Sequence, residues 1–337
     1  MHAESSRAGA PVRYNDWFES VVVSTARGRP EMRFRCLLTF VMFGMSGALF
    51  AQDLPISDPA AQESSASAGA PLPELQTFPV AAAMDVLEPR VARDSKNAAL
   101  KALQDSADQG NPISQYVMGS LYRLGKDHPA HVVDKDLDKA EVYLSNAAIQ
   151  GQLGAMAGMA LIKLERDRPD DALVWSWAYA QFTASDSEHY GGNKRVGQYA
   201  LKLFLKCRER VGKARADSAE MQTYKKAFID QYGPRISPTL GRAAQMYWGG
   251  PLKLLSSELR PPSGISTRFP ALAVFMLEVR PDGSVARAVA IDSLSNERIA
   301  SLWLSQVRDS LTFNSLTEAA PQRLRIGFIP FELEWGE

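Results

Sequence analysis

A pattern of small residues that repeats after forty-one positions constrains the fold of this chain more than any other feature. The segment 107–111 (ADQGN) returns as 148–152 (AIQGQ). At the same offset Leu103 falls on Leu144, and Gly119 falls on Ala160. A period between about twenty and fifty residues is typical of helical solenoids, in which helix pairs stack on one another. The pattern therefore predicts stacked helix pairs from Ala98 to Tyr179.

The repeating small residues have a structural explanation. Gly119 and Ala160 are expected where two helices cross, because a small side chain lets the two backbones approach closely. Gly110 and Gly151 are expected just past a helix end, where glycine adopts the left-handed conformation at little cost. One helix pair cannot bury its apolar face alone, so neighbouring pairs have to stack.

Positions between 114 and 151 also match a known repeat pattern. They are Ser114-Gln115-Tyr116, Met118-Gly119, Leu121-Tyr122, Gly125, Lys139-Ala140, Tyr143 and the closing 147–151 (AAIQG). This set resembles the Sel-one-like repeat, a relative of the tetratricopeptide repeat. The match covers one full repeat and weakens over 170–178, which keeps the Ala-x-x-Trp spacing without the closing Ala-Ala-x-x-Gly. The resemblance implies about two repeats with helical flanks, and a surface whose function depends on a partner.

Charge and length limit the function classes. The chain has 337 residues, enough for two domains, and its 45% hydrophobic content is sufficient for buried cores. Lys plus Arg and Asp plus Glu both total 38, so the formal net charge is zero. A neutral chain has no strong field to attract nucleic acid or an anionic membrane surface, so neither is expected as a partner.

An export signal is indicated at an unusual position. Residues 32–35 (MRFR) are a short basic start, and an apolar run over 36–51 ends in small residues. This order describes a bacterial-type signal peptide over 32–51, and we interpret 1–31 as an over-extended start. The run is shorter than the roughly twenty residues of a bilayer span, but an uncleaved inner-membrane tether stays open as an alternative. The predicted location is therefore the periplasm.

Composition divides the rest of the chain into a linker and a helical part. Residues 52–88 begin with a stretch rich in Ala, Ser and Pro and are predicted to be a flexible linker, followed by a helical repeat domain over 89–248. Later helices are predicted over 193–210 and 218–232, ended by Pro234, Pro238 and Gly241.

Two features of the later helices have a structural interpretation. The basic positions from Lys202 to Arg215 are interpreted as a solvated helix face. Cleavage after Ala51 would remove Cys36 and leave Cys207 alone, so no internal disulfide is expected. We interpret Cys207 as a partly buried helix residue and not as a reactive thiol.

Residues 249–337 have the pattern of a small α/β unit. The motifs 249–251 (GGP) and 260–262 (RPP) mark the hinge into it. Period-two alternation predicts strands over 275–280 and 285–291, joined by a tight turn at 281–283 (PDG). Ser295 is expected to cap a helix whose buried positions are Ile299, Trp303, Val307 and Leu311.

The last strand carries apolar residues in two phases. Leu324, Ile326 and Phe328 occupy one phase, whereas Phe331, Leu333 and Trp335 occupy the other. Since side chains alternate with period two, one extra residue has to be absorbed between them. Pro330 cannot donate to a strand ladder. We therefore predict a bulge near Ile329-Pro330, and regular pairing through that point would show the prediction wrong.

The C-terminal motifs match a second family. They are 279–285 (VRPDGSV), 289–293 (VAIDS), 311–313 (LTF) and 330–333 (PFEL). In this order they resemble the C-terminal domain of the TonB energy-transducer family, which implies a ββαβ fold over 270–335. The usual Tyr-Pro start is replaced by 268–270 (RFP), and the Trp-x-Phe-x-Pro-Ala after the helix is represented by 311–315 (LTFNS). The proline-rich spacer and membrane helix of a working transducer are weak or missing, so the resemblance supports the fold more than the energy coupling.

No catalytic motif was recognised. The sequence lacks a Gly-rich phosphate loop, His-Glu-x-x-His, Gly-x-Ser-x-Gly and Ser-x-x-Lys. His128 and His131 are interpreted as solvated loop residues, and His189 as part of a polar surface turn. The aromatic residues of 175–182 are interpreted as core between repeats. We therefore expect no catalytic residues, no cofactor site and no metal site.

The sequence therefore predicts an α+β protein, with an α/α helical repeat domain and a small ββαβ domain. The leading hypothesis is a non-enzymatic envelope protein that docks a partner protein of unknown identity. An edge strand could pair with an extended partner segment, with Arg325, Gly327 and Ile329 as the predicted contact residues. The alternative is a TonB-type transducer component that engages an outer-membrane receptor through an uncleaved anchor. A deep polar pocket with converging ionisable groups would instead favour an enzyme or a ligand-binding protein.

Overall fold

The computed structural model describes residues 35–36, 78–187, 198–243, 254–257, 271–315 and 325–333. Several predictions fall outside these ranges. They concern the over-extended start, the signal segment apart from Arg35 and Cys36, the linker up to residue 77, both hinge motifs, His189, the 268–270 start of the C-terminal unit, Leu324 and Trp335.

The described part combines helices with a small antiparallel sheet, so the α+β class is confirmed. None of the helices in the described ranges is long and apolar enough to cross a bilayer. The helices are α1 (Val80–Leu87), α2 (Arg93–Asp108), α3 (Pro112–Leu124), α4 (Leu137–Ile149), α5 (Leu153–Glu165), α6 (Pro169–Ser187), α7 (Gln198–Val211), α8 (Lys213–Ala216), α9 (Ala219–Ala243) and α10 (Ile299–Ser310). The strands are β1 (Arg35–Cys36), β2 (Leu254–Ser257), β3 (Ala271–Val279), β4 (Val285–Leu294), β5 (Leu311–Phe313) and β6 (Arg325–Leu333).

The bounds of α2 to α5 recur at the spacing of the sequence pattern. Helices α2 and α4 end at Asp108 and Ile149, forty-one residues apart, and α3 and α5 each span 13 residues at the same offset. Gly110 and Gly151 lie in the two short connections, with φ of 95° and 88°. The side chain of Asn111 caps α3 by accepting from the backbone N–H groups of Ile113 and Ser114.

Gly119 lies where α3 crosses α4. A Cβ atom built on Gly119 would be 2.6 Å from Leu144 Cγ and 3.1 Å from the Leu144 backbone nitrogen. Both distances are shorter than normal van der Waals contact, so the approach of the two helices requires glycine. Its equivalent on α5, Ala160, is fully buried. The small residues of the pattern therefore lie at packed helix contacts.

We expect Gly119→Ala to lower the free energy of unfolding by about 1–3 kcal/mol, because the added methyl group overpacks the contact with Leu144. Urea unfolding of the two proteins measures the difference. Gly233→Ala in α9 is a matched control, since the nearest atom to its added Cβ is a side-chain methyl, Ile229 Cγ2 at 3.3 Å, which has to move by only a few tenths of an ångström. In that control the better helix propensity of alanine should leave stability unchanged or raise it by up to about 1 kcal/mol. Equal stability of the Gly119 variant and the unmodified protein would contradict the close crossing.

The predictions for α6 and α7 agree with the structure. Trp175, Tyr179 and Phe182 are buried, and Trp175 packs edge-on against Phe228 of α9 with ring centroids 4.9 Å apart. Cys207 is fully buried, beyond the partial burial that was predicted, and burial raises the pKa of its thiol to about 11, so the thiolate is disfavoured at neutral pH. Most basic residues from Lys202 to Arg215 are exposed, as expected for a solvated face.

Two boundary predictions in the helical part are wrong. The predicted linker over 52–88 ends too late, because Val80–Leu87 is a helix whose Ala83, Val86 and Leu87 are fully buried. Pro234 and Pro238 were expected to end a helix, but α9 continues through both. Ile236, between the two prolines, is fully buried, so tertiary packing outweighs the lost backbone hydrogen bonds.

The main sheet has the strand order β1-β6-β3-β4, with every neighbouring pair antiparallel. Strand β2 pairs separately with β5. The predicted turn at 281–283 joins β3 to β4, with Gly283 at φ 91° and its N–H bonded to the Arg280 carbonyl at 3.0 Å. One sheet face packs on α10 through Phe275, Trp303 and Phe331. Helices α1, α3 and α5 contact β4.

The predicted bulge near Ile329-Pro330 is absent. Strand β6 pairs with β3 in regular register from Val279↔Arg325 to Ala271↔Leu333. Apolar residues occur in both phases because both sheet faces are covered. Ile329 belongs to the core on the α10 side, whereas the ring of Phe328 packs against Phe78, with centroids 5.9 Å apart. The register shifts of this sheet lie instead between β3 and β4.

Candidate functional site

A buried ion pair joins the helical part to the sheet. Arg123, in the last turn of α3, is 6% exposed, and Asp292 on β4 is 0% exposed. The Nη2 atom of Arg123 donates to Asp292 Oδ1, and it also donates to the Ser293 carbonyl at 2.9 Å. Burial and the Asp292 charge act on Arg123 in opposite directions, and the net result is a raised pKa. Arg123 therefore stays charged inside the protein.

A register shift in β4 brings a second contact to this place. Val274 of β3 pairs with Asp292, but the next residue, Phe275, pairs with Ala290, so Ile291 is the extra residue of a bulge. The Ile291 carbonyl lies 3.2 Å from Nε2 of His128, which follows α3. The bulge thus presents a carbonyl group to the helical part.

His128 is fully buried, so its interpretation as a solvated loop residue is wrong. Its Nδ1 accepts a hydrogen bond from the Ala130 N–H at 3.0 Å, which leaves the proton of the neutral ring on Nε2 to donate to the Ile291 carbonyl. Desolvation lowers the pKa of His128 to about 4. His131 is exposed, as the sequence indicated.

Three polar atoms around the ion pair are buried without a hydrogen-bond partner in the described part of the chain. They are Tyr116 Oη, Arg123 Nε and Asp292 Oδ2. Tyr116 lies seven residues before Arg123 on α3, which places both on the same helix face. Desolvation together with the nearby Asp292 charge raises the pKa of Tyr116 well above the usual value. Buried polar atoms are rarely left unpaired in native proteins, so this cluster is energetically costly to maintain.

The turn between β4 and α10 forms the outer side of the cluster. Ser295 has a φ of 64°, and its hydroxyl lies 2.9 Å from the hydroxyl of Tyr199 on α7. The prediction that Ser295 caps α10 is therefore wrong. Asn296 Oδ1 accepts instead from the Arg298 N–H at 3.1 Å, and Ser293 Oγ accepts from the Ala300 N–H at 3.2 Å. Through its contact with Tyr199, Ser295 connects the turn to α7.

An open cleft of about 1000 Å³ lies between these elements. The end of α5, the exposed side of α7 and the turn from Ser295 to Arg298 line it, and Arg123 is also part of the lining. The cleft is thus built jointly by helical residues and by the sheet unit. In the part of the chain that the structure describes, no group of three or more His, Cys, Asp or Glu residues could hold a metal ion.

The predicted partner-contact residues lie on a different side, on β6. Arg325, Gly327 and Ile329 alternate along the strand and pair in register with Val279, Leu277 and Phe275 of β3. The Ile329 side chain is buried against α10, so it is not available as a contact side chain. Within the described residues, the other edge of β6 pairs with β1 at Phe331 and Glu332. The three residues share one strand, and the cleft lies elsewhere.

Comparisons of this chain with protein-family models, with curated proteins and with solved structures found no match. The features that bear on function are therefore the edge of β6 and the cleft beside Arg123.

Proposed function

We propose that this protein is a non-enzymatic protein-interaction module of the bacterial cell envelope. In this proposal it is exported to the periplasm through its signal segment, its helical part is a Sel-one-like repeat unit, and its sheet with α10 is a TonB-like unit. A partner protein docks by adding an extended segment to the edge of β6.

Two features of the fold support the family assignments. The elements β3, β4, α10 and β6 occur along the chain in the ββαβ order that the TonB resemblance implies, with β5 of the separate β2–β5 pair between α10 and β6. The helix pairs α2–α3 and α4–α5 have the connections, the buried alanines and the close crossing at Gly119 that the Sel-one-like pattern implies. These features favour a role in binding, because both kinds of unit present surfaces to other proteins.

The observation that carries the docking proposal is the pairing of β1 with β6. Arg35 and Cys36 pair antiparallel with Glu332 and Phe331, so the chain itself adds a short strand at this edge. An exposed strand edge presents unpaired N–H and C=O groups that template such pairing. Removal of the signal segment after Ala51 would vacate this position and leave the edge of β6 to a partner.

Site-specific photo-crosslinking in the periplasm tests the proposal. We expect p-benzoylphenylalanine in place of Arg325 to give a covalent adduct of defined mass with a partner protein. Asp94 is exposed and lies on helix α2, not on the sheet. The same replacement at Asp94 is therefore the control. A synthetic peptide of residues 33–38 should compete with the adduct, because it offers the same strand to the same edge. Identical adducts at both positions, or none at Arg325, would contradict edge docking.

A further inference from the structure

The cleft between α5, α7 and the β4–α10 turn has the features of a second binding site. Its volume of about 1000 Å³ is at the upper end of the range for ligand sites in proteins. Arg123, nine-tenths buried, forms part of its lining. Edge docking at β6 uses none of these groups, so the cleft requires a separate explanation.

The guanidinium of Arg123 has donor capacity that the interior does not use. Both of its bonds, to Asp292 and to the Ser293 carbonyl, come from Nη2. The contact with Asp292 is therefore not the bidentate fork that arginine forms with a carboxylate in its strongest pairs. Within the described residues the buried Nε has no partner. Nε is shielded from the cleft, but neither of the two bonds uses Nη1, so Nη1 is the donor suited to hold a ligand carboxylate.

The walls of the cleft add further positive charge. Lys206 and Arg210 stand on the α7 side, and Arg298 stands on the turn before α10. Arg210 makes an ion pair with Asp167 at 2.9 Å, and both side chains are largely exposed. Such exposed pairs are weak, so a ligand carboxylate can compete for Arg210.

The acidic side chains of the cleft are partly compensated. Glu165 pairs with Lys135 at 2.8 Å. Desolvation and the nearby charge of Asp127 raise the pKa of Glu297. Glu209 is the third acidic residue of the lining. The lining has four basic side chains against these three acidic ones, so the cleft favours an anionic ligand over a cationic one.

We propose that this cleft binds an acidic peptide segment, with a ligand carboxylate held by Arg298 and Arg123. Leu161 and Leu164 of α5, which also line the cleft, contact the apolar part of the segment. A peptide fits better than a small anion, because the cleft has a volume of about 1000 Å³ and combines charged with apolar walls. The binding is direct and does not depend on a partner at β6.

Residue-resolved NMR of the whole chain tests this site. The probe is an acetylated and amidated Glu-Leu-Glu-Leu peptide, and the matched control peptide is Lys-Leu-Lys-Leu. We expect the acidic peptide to shift the backbone amide signals of 295–298 and 161–165. Arg298→Glu should weaken this binding about tenfold or more, which corresponds to the loss of one charge-assisted contact.

The control variant is Arg93→Glu, at the exposed start of α2, which changes the net charge by the same amount. It should leave the affinity within about twofold, since exposed charges beyond a Debye length of about 8 Å are largely screened at physiological salt. The proposal would be overturned by equal weakening in both variants, by shifts spread over the whole surface, or by equally strong binding of the basic peptide at the same amides. An absence of shifts at millimolar acidic peptide would also overturn it.

Discussion

Asp292→Ala should lower the free energy of unfolding by about 3–5 kcal/mol, one of the two largest effects expected for this protein. The reason is that Arg123 would lose its counter-charge while it stays 6% exposed, so an unpaired guanidinium would be buried at the junction of α3 and β4. Denaturant unfolding, followed by the fluorescence of the buried Trp303, measures the change.

Two further variants separate this effect from the loss of a side chain. Asp105→Ala removes the acid of an exposed pair with Lys101, and it should change stability by less than about 0.5 kcal/mol. The double variant Arg123→Met with Asp292→Leu replaces both charges by apolar groups, and it should recover most of the stability lost in Asp292→Ala. If Asp292→Ala were as stable as the unmodified protein, the pair of Arg123 and Asp292 would not be desolvated.

Acid should destabilise the protein through His128 by about 3 kcal/mol between pH 7 and pH 4. The pKa of His128 is about 4 in the folded protein, against 6.5 for an unperturbed histidine. The unfolded chain therefore binds a proton over this window that the folded protein does not bind. Stability falls as the pH falls from about 6.5 to about 4, and this group contributes no further change below that range.

His128→Asn isolates this contribution from that of the carboxyl groups. The variant should be less stable at neutral pH, because it loses the buried ring that bonds Ala130 and Ile291. Its unfolding free energy should nevertheless depend less steeply on pH, by about 3 kcal/mol over the same window. Urea unfolding at half-unit pH intervals measures both slopes. Parallel pH curves for the two proteins would show that His128 is protonated at little cost in the folded state.

The parts of the fold that the sequence predicted depend on short-range signals. The connection between α2 and α3 combines Gly110 past one helix end with Asn111 at the next helix start, and both act within one turn of backbone. The turn at Gly283 is local in the same way. The crossing at Gly119 was indicated by repetition of small residues at a fixed offset.

The parts that were missed depend on contacts between distant segments. Arg123 and Asp292 lie 169 positions apart, and an arginine in an amphipathic helix ordinarily indicates an exposed face. The weak signal was Asp292 itself, a carboxylate inside an apolar strand, which requires a partner but does not name it. The position of Ile329-Pro330 was misjudged for a related reason, since one-sided burial was assumed for a strand that is covered on both faces.

The candidate sites differ in how far the sequence could define them. The edge of β6 was named in advance as an edge strand of the C-terminal unit, and its contact residues stay a prediction. The cleft could not be foreseen, because its lining comes from α3, α5, α7 and the β4–α10 turn, which no local pattern brings together. Ser295 was assigned to a cap by its position alone, whereas its hydroxyl bonds Tyr199, almost one hundred positions earlier.

The bond between Arg123 and Asp292 has a consequence for how such a protein can change over generations. A helical array and a small sheet are often exchanged between genes as interchangeable parts. In this protein, a replacement helical part without Arg123 would leave the buried Asp292 unpaired. A replacement sheet without Asp292 would leave Arg123 unpaired. The two parts are therefore expected to be inherited together and to alter in matched steps.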